Sequence, residues 1–270
     1  MSEQGNDLKN ELVHVAVCPP KPPDPELIRR AASLLGKEIV DTRLLLAGEI
    51  PRIIVSYPRT GAAEAMARSL REAGLAAFVC GDHELRNRVA SFRAHTVRPG
   101  EREMIFRDRQ GGEVRVKADD AFLIIRGRIK TITQGKTSTT KITLNVPATV
   151  LTGGIPILRR VTEKSAKESF QAEDFVKIYD ARSSDPRVEI VQNHVDYNFL
   201  GSELATSAAA NFNIFAAKLR QWFPLAIFDE RLTGHFKTDG PAAGAKDALE
   251  MHCQLIYFCH LAMRQDGRPA

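Results

Sequence analysis

The 270-residue sequence has no acidic residue between Ala121 and Thr162, only four cysteines and one tryptophan. It also has no uninterrupted apolar run near the ~20 residues that a membrane-spanning helix needs, which argues against a helical span. The start is polar and leans acidic, the reverse of a basic run leading into an apolar core, so a secretion signal is not expected. Cys18, Cys80, Cys253 and Cys259 form no CxxC pair, and so few thiols in so long a chain argue against a disulfide or zinc scaffold. A reducing, cytoplasmic setting is the expectation. Neither GxGxxG nor GxSxG occurs, and no cofactor is expected.

What is present is ample apolar material, 43% of residues, and an uneven charge. Residues 91–168 carry 16 basic and 8 acidic groups, whereas 1–90 carry 12 of each and 169–270 carry 10 basic and 13 acidic. The net +5 is therefore seated in the middle third, where Arg126, Arg128, Lys130, Lys136, Lys141, Arg159 and Arg160 fall in the acid-free stretch. Such a segment suits an anionic partner, nucleic acid or acidic protein; a solvated face offset by carboxylates from elsewhere is the alternative.

The first part reads β, α, α, β, α, β. An apolar strand over 12–17 is stopped by Pro19, Pro20, Pro22 and Pro23. Asp24 as N-cap and Pro25 at the first helical position then start a helix that Gly36 ends. A second helix over 38–47, a strand over 50–57, a helix over 62–73 ending at Gly74 and a strand over 75–80 follow. The run AEAMARSLREAGLAAFV, with Glu72, Ala73 and Gly74 before a short strand, resembles the C-terminal domain of ribosomal protein L7/L12, a fold shared with the ClpS adaptor. The resemblance covers about a quarter of the chain and implies a βααβαβ domain that holds protein partners and performs no chemistry. The chain as a whole is similar to uncharacterised bacterial proteins, which implies no function.

In the middle, Val114 and Val116 alternate with Arg115 and Lys117 as in a half-buried strand. Beyond the apolar run 122–125, Arg126, Arg128 and Lys130 share one face of an extended chain. Pairing with 141–146 across Gly135 would make a basic-faced ribbon; alternatively 133–140 is a polar loop. A polar linker is expected over 163–172. Strands over 175–179, 188–191 and 225–228 follow, with a helix capped by Thr206 or Ser207 and carrying Phe212, Phe215, Leu219 and Trp222 on one face. A final helix over 246–264, between Lys246 and Arg264, is apolar nearly all round, as expected for burial or for an oligomer interface.

The expected class is α/β (α+β) in three parts: a compact βααβαβ-like domain over 11–90, a basic β-rich segment over 91–162 and an α/β segment over 170–265. Gly135-Lys136-Thr137 copies the end of a P-loop, but Lys130 stands where its first glycine belongs. Cys80 with His83 at a strand end is a candidate nucleophile pair for a small hydrolase or transferase, against a buried structural thiol. His252 and Cys259 lie two turns apart on the last helix, with Cys253 and His260 beside them. Metal binding there needs ligands from elsewhere, since two turns span about 10 Å. His194 and Asp196 share a face at a possible strand end. The leading expectation is a non-catalytic binding or regulatory protein using Arg126, Arg128, Lys130, Lys136 and Lys141 on an anionic partner. A structural homo-oligomer joined through 246–264 is a further alternative.

Overall fold

The computed structural model describes residues 12–20, 22, 24–86, 89–144, 158–234 and 242–265, with side chains described except over 130–171 and 242–246. It is a mixed α+β protein with several sheets. Among the described residues no helix is long and apolar enough to cross a membrane.

The first elements run β1 (Val13–Cys18), α1 (Pro25–Leu35), α2 (Ile39–Leu45), β2 (Arg52–Tyr57), α3 (Thr60–Glu72) and β3 (Ala76–Gly81), the order read from the sequence. Local signals act as expected: Asp24 accepts the Glu26 N–H at 3.1 Å, and Gly36 closes α1 at φ 61°, a conformation that costs a residue bearing Cβ. The strands form an antiparallel sheet in the order β2-β1-β3. One face buries Val13, Val15 and Val17 against Leu27, Ala63, Ala67 and Leu70 of α1 and α3.

A short helix α4 (Asp82–Arg86) and strand β4 (Phe92–Arg93) lead to an antiparallel meander of β5 (Thr96–Pro99), β6 (Glu103–Arg107) and β7 (Glu113–Lys117). Then come β8 (Leu123–Leu144), β9 (Leu158–Tyr179), β10 (Val188–Val191), α5 (Ala208–Trp222), β11 (Ile227–Leu232) and α6 (Ala242–Gln265). The larger sheet has the order β11-β8-β9-β10-β4. Ser207, not Thr206, caps α5 by accepting the Ala210 N–H at 3.2 Å. Phe212 and Phe215 pack from α5 onto Val176 and Ile178, and Met104, Phe106 and Val116 of the meander join the same core. Each ring so buried stabilises by about 1.5–3 kcal/mol.

The other sheet face holds Phe175 and Tyr179 against Cys253, Ile256 and Tyr257 of α6. The far side of α6 places Leu255 and Cys259 on Ala16, Phe78 and Cys80 of the small sheet. This helix is therefore apolar nearly all round because two sheets of its own chain cover it. Gly127 is required where it stands: a Cβ there would lie 2.5 Å from the Phe175 ring and 2.8 Å from Leu232 Cβ.

Three expectations are corrected. Gly135 does not turn the chain and 133–140 is no loop, since both lie inside β8; the alternating β-branched residues on either side favour extension. Residues 163–172 are strand β9 rather than linker. Cys18 and Cys259 form a disulfide across 241 positions with Cα atoms 6.4 Å apart, joining the end of β1 to α6. Residues 1–129 and 173–270 make one compact unit, and 130–172 a second.

Candidate ligand-binding cleft

A cavity of about 1040 Å3 opens in the first unit where α6 meets the small sheet and the edge of the large one. His14, Ile53, Asp82 and Leu85 come from the small sheet and α4; Ser91, Arg93 and Glu189 come from the sheet edge. Asp247, Glu250, Met251 and Gln254 come from α6 and, at spacings of three and four residues, share one helix face.

Lys177 lies in this cleft although it is only 2% exposed. A buried ammonium is costly unless paired, and Lys177 Nζ meets the Glu250 carboxylate and, at 3.7 Å, Glu189. Glu189 in turn accepts from Arg93 Nη2 at 3.0 Å and from Ser91 Oγ at 3.3 Å. On the opposite wall Asp82 receives Arg86 Nε at 2.7 Å and His14 Nε2 at 3.0 Å, while His14 Nδ1 faces Ser56 Oγ at 2.7 Å. Hydrogen bonds from Arg86 and His14 hold the Asp82 carboxyl below its ordinary pKa. An ionised carboxylate only accepts, so an imidazole proton sits on Nε2, toward Asp82. That ring is turned the opposite way from a serine-hydrolase triad, in which Nε2 faces the hydroxyl.

One lining residue carries an atom that is unsatisfied among the described residues, and that atom is sealed from the cleft. Gln254 is 2% exposed, and its buried Oε1 accepts no hydrogen bond. A buried acceptor left so costs about 1–3 kcal/mol until something donates to it.

The residues singled out from the sequence lie elsewhere. Arg126 and Arg128 do share a face, but both converge on Asp174, a carboxylate from the last third of the chain. Arg126 Nη2 lies 2.9 Å from Asp174 Oδ2 and Arg128 Nε 2.6 Å from Oδ1. Arg126 also donates to Asn213, lies 3.6 Å from Glu230 and packs over the Phe212 ring, leaving Nε alone unpartnered. These two belong to a partly buried ion-pair group. Burial pushes the Asp174 pKa up, but hydrogen bonds from Arg128 and Arg126 more than reverse this and hold it below the ordinary value. The side chains of Lys130, Lys136 and Lys141 lie outside the described residues.

Cys80 is 2% exposed, and burial, then the charges of Glu84 and Asp82, push its thiol up to about 12. It therefore stays protonated, the reverse of an activated nucleophile, while His83 is exposed on α4. The pairing of His252 with Cys259 as metal ligands is corrected: Cys259 is bonded to Cys18, and His252 Nδ1 donates to the Ala248 carbonyl at 2.5 Å. Their neighbours are also committed, with Cys253 buried and His260 Nε2 2.7 Å from Asp229. Among the described residues no group of three or more His, Cys, Asp and Glu could hold a metal ion. His194 lies beyond β10, and Asp196 accepts the Asn198 N–H at 3.0 Å to start a short turn.

Sequence reasoning passed over Lys177 and Gln254. The available signal was a lone lysine in the apolar run Phe175, Val176, Ile178, Tyr179 and a lone glutamine between Cys253 and Leu255 in an apolar helix. No family model, curated protein or solved structure was found to match the chain.

Proposed function

We propose that this is a non-catalytic binding or regulatory protein whose site is the cleft between the small sheet, the edge of the large sheet and α6, and whose ligand is a small polar molecule. The observation that carries this reading is a cavity of about 1040 Å3 lined by the buried ion-pair group of Lys177, Glu189 and Glu250. Pockets of this size combining apolar walls with a few fixed polar groups suit small ligands. The competing reading, an anionic macromolecule held by Arg126, Arg128, Lys130, Lys136 and Lys141, is weakened because the first two direct their charge to Asp174. The hydrolase reading is weakened by the protonated Cys80 thiol. An assembly subunit joined through 246–264 is not needed to explain the apolar helix, which its own chain covers.

The test is a thermal-shift screen of small amines, carboxylates, amides and polyols on the wild-type protein and on Ala90→Trp, a bulky substitution at an exposed position lining the cleft. At least one class should raise Tm in the wild type and lose that effect in the variant. Shifts that survive Ala90→Trp unchanged, or no shift at all beside firm retention on immobilised DNA at low salt, would overturn the reading in favour of the anionic partner.

A further inference from the structure

We infer that Ser56 is a nucleophile activated by His14, a site at which the protein takes up an acyl group from an activated ester or thioester. This goes beyond the cleft reading and does not rest on it. Three groups stand in series: the exposed Ser56 hydroxyl lies 2.7 Å from His14 Nδ1, and His14 Nε2 lies 3.0 Å from Asp82 Oδ1. A nucleophile within hydrogen-bond reach of a base that a third group orients is the arrangement that makes a hydroxyl reactive. Exchanging Nδ1 and Nε2 relative to a serine hydrolase leaves that chemistry intact. In the neutral ring, with the proton on Nε2 toward Asp82, Nδ1 carries the basic lone pair and faces the hydroxyl.

The fold fixes the series. His14 and Ser56 are directly opposed partners on β1 and β2, so their side chains share one face of the small sheet. Asp82 follows β3 on the other flank of β1, where its N–H donates to the Leu12 carbonyl at 2.8 Å and Arg86 holds its carboxylate. The base is thus shielded, at 7% exposure, while the hydroxyl it faces is open to a reagent. Among the described residues β2 is an edge strand, and the outer N–H groups of such a strand are the kind of donor that a tetrahedral oxyanion needs. With a thioester, Ser56 Oγ attacks the acyl carbon while its proton passes to His14 Nδ1. The C–S bond then breaks, the sulfur leaves as a thiol with that proton, and an ester remains on Ser56.

The probes are p-nitrophenyl acetate and S-phenyl thioacetate, with leaving-group release followed by absorbance and acetyl groups located by mass spectrometry. The tryptic fragment 53–59 should gain one acetyl, on Ser56, while the exposed Ser33 of α1 stays unmodified. Ser56→Ala, at an exposed position, should lose that acetyl with Tm unchanged. His14→Gln should slow acetylation of Ser56 at least about a hundredfold and remove its rise with pH. Asp82→Asn, which acts through His14, should slow it about tenfold and move the rise to lower pH, because the imidazolium loses its anion. No acetyl on Ser56, equal rates at Ser56 and Ser33, or a rate that neither His14→Gln nor Asp82→Asn changes overturns the inference. Release beyond one equivalent that Ser56→Ala abolishes keeps Ser56 as the nucleophile and overturns instead the non-catalytic part of the cleft reading.

Discussion

Asp174 and Lys177 stand on the same strand, β9, and turn buried charges of opposite sign to opposite faces of the large sheet. Asp174 faces α5, where Arg126 and Arg128 close over it and Asn213 completes the group. Lys177 faces α6, where Glu250 and Glu189 neutralise it but the group opens on a cavity. The contrast teaches that a buried charge does not by itself mark a binding site. What distinguishes the second group is the space beside it.

The sharpest way to break that comparison is Lys177→Met. It leaves Glu189 and Glu250 facing burial without their shared cation and should cost about 3–5 kcal/mol in urea denaturation, part of which Glu250→Leu in the same chain restores. Next in size is Cys18→Ser, which releases α6 from β1. A bridge closing so long a loop contributes about 2–4 kcal/mol, and reductant should lower the wild-type Tm to that of the variant while leaving the variant's Tm where it is. Asp174→Asn should cost less, about 2–3 kcal/mol, because Arg128 is half-exposed and Arg126 keeps Asn213 and Glu230. The sign of its pH dependence follows from the depressed carboxyl. Its contribution is fully present above the unfolded carboxylate pKa of about 3.9 and disappears as pH falls through the lower folded value. The wild-type protein should therefore lose stability below about pH 4, and Asp174→Asn should show a shallower acid slope.

Much of the small sheet and its helices was legible because its signals are local. Asp24 and Pro25 open α1 and Gly36 closes it, each within a turn of the residues it organises. The long strands were not legible in the same way, since Gly135 and the polar stretch 163–172 carry turn and linker composition yet lie within β8 and β9. Of the cleft, no part was read as a site. Its charges come from α4, β4, β9, β10 and α6, and no spacing along the chain relates Lys177 to Glu250.

The order of the early elements, the apolar faces of the helices and the surplus of positive charge in the middle third follow from the amino-acid sequence alone, because caps, periodicity and composition act over a few neighbouring residues. Which cations would be neutralised, which cysteines would meet and where an acceptor would be buried without a donor were decided only when distant strands and helices packed together. Charge pairing and desolvation depend on separation in space, and separation in sequence does not predict it.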